Sequence, residues 1–141
     1  MAYFDVKVGL HQPSSATTVA REMTNGQTAV KGLAFCSVAG KYTLCTSINA
    51  QFAEWLLETP DGNMSSKAVG IFGSFEAETD QVDISTSNPL GGSSGGTIIV
   101  DDLLGLYNGK LVKYGPSPTA GAIVVGRCIS IAGTIYRFRT V

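Results

Sequence analysis

The sequence predicts an all-β protein: a small barrel or sandwich with one short helix and an extended N-terminal arm. Three observations carry that prediction. Asn108-Gly109 lies between the apolar pairs Leu106-Tyr107 and Leu111-Val112. Asn-Gly between apolar flanks signals a tight hairpin, because a type I′ turn needs φ > 0 at both central residues. In the closing segment Tyr136 and Phe138 alternate with Arg137 and Arg139, the period of two that belongs to a half-buried strand. The 17 glycines, with abundant Ser and Thr, suit many turns joining short strands.

Taken in order, residues 3–10 read as a strand, with Phe4, Val6, Val8 and Leu10 on one face. Residues 11–28 are rich in Ser, Thr, Gln and Gly and hold no period, so they read as an extended arm and, being long, as a contact element. The domain division is therefore an N-terminal strand and arm over 1–27 and a single β-rich domain over 28–141. Residues 32–38 and 41–46 form a hairpin about Ala39-Gly40, whose Ser-Val-Ala-Gly sequence is echoed by Ser130-Ile131-Ala132-Gly133. Residues 47–58 are the expected helix. Ile48, Phe52, Trp55 and Leu56 share a helical face, Ser47 can cap it and Pro60 ends it. Trp55 reads as a core anchor on a sheet. Residues 68–75 read as a strand whose Gly70 and Gly73 mark bulges or close backbone approach. Residues 81–85 suggest a short edge strand, 88–96 a mobile Pro-Gly-Ser loop, and Thr97-Ile98-Ile99-Val100 a β-branched strand. The long apolar run over 122–131 is broken at Gly126-Arg127, and Ala132-Gly133 allows a second turn before the closing strand.

Charged residues are only 15% and the net charge is −1. That composition lacks the basic footprint of a nucleic-acid binder and suits a surface partly covered by a partner. Residues 1–5 show no signal-peptide pattern, and no apolar run reaches the length of a membrane span. The expectation is no nucleic acid, no membrane and no cofactor. The three cysteines, Cys36, Cys45 and Cys128, match no zinc spacing and read as reduced, mostly buried thiols made in a cytoplasm. A hairpin turning at Gly40-Lys41 would set Cys36 opposite Cys45, and a disulfide there is the alternative.

Few groups invite chemistry. Gly92-Ser93-Ser94-Gly95-Gly96 resembles the Gly-Asp-Ser-Gly-Gly segment of trypsin-like serine proteases, with Ser94 as nucleophile and the single His11 as base. Ser93 stands where that motif has Asp, and the residues around His11 do not match, so a serine hydrolase is the remote alternative. Glu76, Glu78, Asp80 and Asp83 follow no calcium-loop spacing and read as a solvated acidic strand edge, with no metal expected. Arg137 and Arg139 read as a solvated strand face.

One resemblance covers about half the chain, residues 68–141. Gly70-Ile71-Phe72 is followed by Phe75-Glu76-Ala77-Glu78-Thr79-Asp80-Gln81-Val82-Asp83, then by Asn108-Gly109-Lys110-Leu111 and Val125-Gly126-Arg127-Cys128. The order resembles the small proteins that decorate or cement the capsids of tailed bacteriophages. The resemblance implies a non-enzymatic virion structural protein, made in the host cytoplasm, with the major capsid protein as its partner. It also implies a homo-oligomer, a trimer being favoured, and an N-terminal segment that orders on the capsid. Tyr3, Phe4, Val6, His11 and Arg21 are the expected capsid-contacting residues. A receptor- or carbohydrate-binding module of a tail or fibre is the alternative.

Overall fold

The computed structural model describes residues 2–7, 16–23, 29–45, 53–59 and 67–141. They form eleven strands: β1 (Phe4–Lys7), β2 (Thr17–Met23), β3 (Ala34–Val38), β4 (Lys41–Leu44), β5 (Glu54–Leu56), β6 (Lys67–Phe72), β7 (Glu76–Thr79), β8 (Leu103–Tyr107), β9 (Lys110–Lys113), β10 (Gly126–Ala132) and β11 (Ile135–Thr140). The protein is all-β, with both a closed barrel, β2-β4-β3-β5-β6, and a six-stranded sheet, β1-β7-β11-β10-β8-β9. The barrel closes through β2, which runs parallel to β4 and antiparallel to β6.

Alternation along the barrel strands builds two cores. Met23, Phe35, Tyr42, Leu56 and Ala68 fill the barrel interior. Their neighbours Ala34, Cys36, Trp55 and Ile71 face outward and meet Phe4, Ala77, Leu104, Cys128 and Phe138 from the sheet. Trp55 anchors this second core, with Phe75 and Phe138 each 5.5 Å from it between ring centroids. Two barrel residues also bond the tip of the β8–β9 hairpin: Ala34 N–H donates to the Gly109 carbonyl, and Gly109 N–H donates to the Cys45 carbonyl.

Both tight hairpins have the expected turns. Ala39 and Gly40 have φ of 52° and 80°, Asn108 and Gly109 of 49° and 79°, the left-handed pair of a type I′ turn. The Ser130-Ile131-Ala132-Gly133 segment turns one residue later, since Ala132 pairs with Ile135 around Gly133-Thr134. A bulge at Ile129, between the Cys128–Phe138 and Ser130–Arg137 pairs, shifts the register of β10.

Several expectations are corrected. There is no helix among the described residues. Trp55 and Leu56 belong to β5, where they point to opposite sides, one to each core; residues 46–52 lie outside the described residues. At Trp55 and Leu56, pairing with β3 and β6 outweighs local helical propensity. The arm is replaced in part by β2, a wall of the barrel. Residues 8–15 and 24–28 lie outside the described residues. Thr97-Ile98-Ile99-Val100 forms no strand; the Ile99 N–H donates to the Asp102 carboxylate instead. The 81–85 strand reduces to one bridge, Val82 to Leu111.

The loop over 88–96 is pinned rather than loose. Ser93 exchanges two backbone hydrogen bonds with Ser117, and Leu90 is buried beneath it. Cys36 and Cys45 form a disulfide, with Cα atoms 5.3 Å apart. Because the hairpin turns at Ala39-Gly40, Cys36 pairs with Thr43. Cys45 is then its diagonal neighbour on the same face, within reach of a bond. Cys128 alone is a free, buried thiol, and burial, with Asp102 and Asp101 nearby, pushes it up from the ordinary thiol range.

Candidate functional site

The first candidate is the outer edge of the six-stranded sheet at β1. β1 pairs with β7 in a regular antiparallel ladder from Phe4–Thr79 to Lys7–Glu76, and no described strand pairs with its other side. The Tyr3 carbonyl accepts from Asp80 N–H. By alternation, the backbone groups of Asp5 and Lys7 face β7, and those of Phe4 and Val6 face the open edge. The opposite edge of the sheet is closed. Leu111 of β9 donates its N–H to the Gln81 carbonyl and accepts from Asp83 N–H, and the Lys113 carbonyl accepts from Gly95 N–H.

Of the expected contact residues, three lie on or beside β1. The Phe4 ring is buried in the core and Val6 packs partly against it, so these two offer a partner their backbone. Tyr3 donates its N–H to the Asp80 carboxylate at 2.9 Å and its hydroxyl to Glu78 at 3.4 Å. On the outward face Lys7 bridges Asp5 at 2.6 Å and Glu78 at 3.6 Å. His11 lies outside the described residues. Arg21 lies far from β1 in the topology, on barrel strand β2.

Arg21 belongs to the second candidate, the barrel mouth. Its Nε and Nη2 donate to the two carboxylate oxygens of Glu54, each at 3.1 Å. The Tyr42 hydroxyl donates to Glu54 Oε1 at 2.7 Å. Glu54 is buried, and a buried carboxylate persists only when paired and hydrogen-bonded. Burial first, then the Glu54 carboxylate, pushes the Tyr42 phenol well above its ordinary value, so it stays a donor. Gly70 makes room: a Cβ there would collide with the Tyr42 hydroxyl. Above this polar plug opens a cleft of about 580 Å³, walled by Trp55 and Phe72 on the barrel side and by Ile123, Val124, Val125 and Thr140 on the sheet side.

A second carboxylate is clasped on the outer sheet face. Arg137 Nε donates to Glu76 Oε1 at 3.0 Å, and Arg139 donates to Oε2 from Nε at 3.0 Å and from Nη2 at 2.7 Å. Burial alone would raise the Glu76 carboxyl, but donation from Arg139 and Arg137 outweighs it and holds the group below its ordinary value. The solvated acidic edge and solvated arginine face expected from the sequence are thus one ionic network. The remaining acids are dispersed: Asp80 receives Tyr3, and Asp83 caps the turn at Ser85 and Thr86. The Thr86 hydroxyl, above other donors, holds Asp83 below the ordinary carboxylate range. No group of three or more metal-ligating side chains occurs among the described residues.

Ser94, the serine of the protease-like segment, donates its hydroxyl to the Gly91 carbonyl at 2.9 Å and accepts from Leu90 N–H at 3.0 Å. It is buried, and its hydroxyl ties the loop over 88–96 together.

Sequence reasoning missed Glu54 and Tyr42; Gly70 it marked as a bulge or close approach, without the Tyr42 hydroxyl that approaches it. The usable signal was a lone carboxylate inside the apolar run Ala53-Glu54-Trp55-Leu56-Leu57, since a charge in such a run needs a partner. In comparison with known proteins, the chain matches no family model, no curated protein and no solved structure.

Proposed function

We propose that the chain is a non-catalytic structural protein of a phage virion, which binds the outer surface of the capsid and decorates or stabilises the shell. In this reading a strand of the major capsid protein adds to the open edge of β1, with the chain acting as a homo-oligomer, a trimer being favoured. The observation that carries the reading is the asymmetry of the sheet. The β9 edge is closed by the chain's own backbone, whereas Phe4 and Val6 of β1 turn unpaired backbone groups outward among the described residues. Strand addition draws its affinity from main-chain hydrogen bonds and needs little charge, in keeping with the low charge of the chain. Many copies on a symmetric lattice multiply weak contacts.

Removing residues 1–27 is a poor test, because it deletes β2 and opens the barrel. Val6→Pro is the cleaner one. It removes an outward N–H without touching the β7 ladder, and proline is tolerated at sheet edges. Co-sedimentation with empty capsids should pellet the wild-type protein stoichiometrically and leave folded Val6→Pro in the supernatant. Wild-type protein that stays in the supernatant sinks the capsid reading and turns attention to receptor or glycan binding. Equal pelleting of both proteins removes strand addition at β1.

A further inference from the structure

The barrel mouth has features that capsid binding does not use. Its floor is charged yet internally neutralised: Arg21 and Glu54 form a two-point pair, and Tyr42 adds a third bond to the carboxylate. Glu54 takes two of the five guanidinium N–H groups and the Tyr42 hydroxyl is a further hydrogen-bonding neighbour, so among the described residues Arg21 keeps donors for another acceptor. Its side chain is 30% exposed, at the boundary between plug and cleft. The walls are apolar: Phe72 rises from the barrel, and Ile123, Val124 and Val125 face it from the segment before β10. The volume, about 580 Å³, is that of a small-molecule site. A concavity at a barrel mouth with apolar walls and a few polar groups, here Arg21, Ser74 and Thr140, is where such ligands are held.

The plug also explains why the site is built rather than incidental. A barrel end could be closed more simply with leucines. Here the buried carboxylate needs Tyr42, Arg21 and the missing side chain of Gly70 to exist at all. Its effect is to hold the guanidinium fork still, with its unused edge beside an apolar wall. A fixed fork costs a ligand little ordering entropy.

We propose that the barrel mouth binds a small apolar monocarboxylate, with the ligand carboxylate on the free donors of Arg21 and its hydrocarbon body against Phe72 and Ile123, Val124 and Val125. A guanidinium matches a carboxylate in shape and charge. Glu54 limits the local positive charge, so one carboxylate is accepted and a polyanion is not. Trp55 lies against the cleft and is the only tryptophan of the chain, so its fluorescence reports occupancy.

The experiment titrates the full chain with decanoate below its micelle concentration, with decanol and decanedioate as matched probes, following Trp55 emission. Decanoate should saturate and bind more tightly than decanol by about ten-fold or more, the worth of a charge-assisted hydrogen bond. Decanedioate should bind weakly, because its second carboxylate must enter the apolar wall. Arg21→Gln should erase the preference, but it strips Glu54 of its counter-ion and can unfold the barrel. Val124→Glu avoids that: it leaves the plug intact and sets a charge against the ligand's hydrocarbon body. It should weaken decanoate and decanol alike. Equal binding of decanoate and decanol, no saturation with any probe, or a Val124→Glu variant that binds decanoate as before would overturn the proposal. None of these outcomes bears on capsid binding, which the β1 edge variant tests separately.

Discussion

Glu76 is the residue whose environment is most specific. One carboxylate serves two arginines from the neighbouring strand, at 3.0 Å and 2.7 Å. Its carboxyl sits below the ordinary value near 4.5 when folded, so the unfolded chain takes up the proton first as pH falls. The network's contribution is therefore complete above the ordinary carboxylate pKa and is lost as pH falls through the lower folded one. Glu76→Gln should destabilise the protein at neutral pH by about 1–3 kcal/mol, the cost of leaving charged donors without their acceptor. Urea denaturation of both proteins from neutral to strongly acid pH should show that gap closing only at the acid end. A gap independent of pH would place the effect in packing instead. Arg137 and Arg139 were legible as one face of a strand, because a period of two is a local property. That the face holds a buried anion was not, because Glu76 and its partners are about sixty residues apart in sequence and only the β7–β11 register joins them.

At the scale of elements, the β8–β9 hairpin joins the two halves of the fold. Gly109 has φ of 79°, and a Cβ there would lie 2.7 Å from the Leu44 side chain and 3.0 Å from the Ala34 carbonyl. Backbone strain and steric conflict therefore act together. Gly109→Ala should cost about 1–3 kcal/mol, read as a lower midpoint in chemical denaturation. Asn108→Gly, which relieves the positive φ without adding bulk, should be near neutral. If Gly109→Ala is neutral too, the hairpin tip does not pack on the barrel. The Asn-Gly turn itself was readable because turn chemistry is local. The helix expected over 47–58 gives way to strand in its described part, Glu54–Leu56, for the opposite reason. A short segment with Trp55 and Leu56 adjacent satisfies a helical period on paper, yet β3 and β6 stand on either side of it and take its hydrogen bonds. The disulfide has the same character: the turn position was legible, but whether diagonal neighbours meet depends on the twist of the β3–β4 ribbon.

At the scale of the whole molecule, the outward wall of the barrel is the inner layer of the core it shares with the sheet. Trp55, from the barrel, meets Phe75 edge-on and Phe138 at a tilt on the sheet side, and Ala34 of β3 and Cys45, just past β4, bond the hairpin tip. Barrel and sheet should unfold as one cooperative unit. Thermal melts followed by Trp55 emission and by far-ultraviolet circular dichroism should coincide. Two separated transitions would show that the barrel and the sheet hold together independently. The proposed roles follow this joint architecture: the β1 edge belongs to the sheet, whereas the carboxylate cleft lies between the barrel mouth and Ile123, Val124, Val125 and Thr140 on the sheet side.

By itself the sequence determined the all-β class, the two Asn-Gly and Ala-Gly hairpins, the alternation of the closing strand, the close approach at Gly70 and the burial of Trp55. Each follows from composition, a turn residue or a period within a few positions. Only the tertiary structure decided that β2 is a barrel wall, that Cys36 and Cys45 are bonded, that Ser94 ties a loop, and that Glu54 and Glu76 each gather their partners from distant strands. The reason is physical. Backbone preference and amphipathic pattern are fixed residue by residue. A buried charge, by contrast, is tolerated only where register brings its counter-ions to it, and register is a property of strands that meet after the chain has folded.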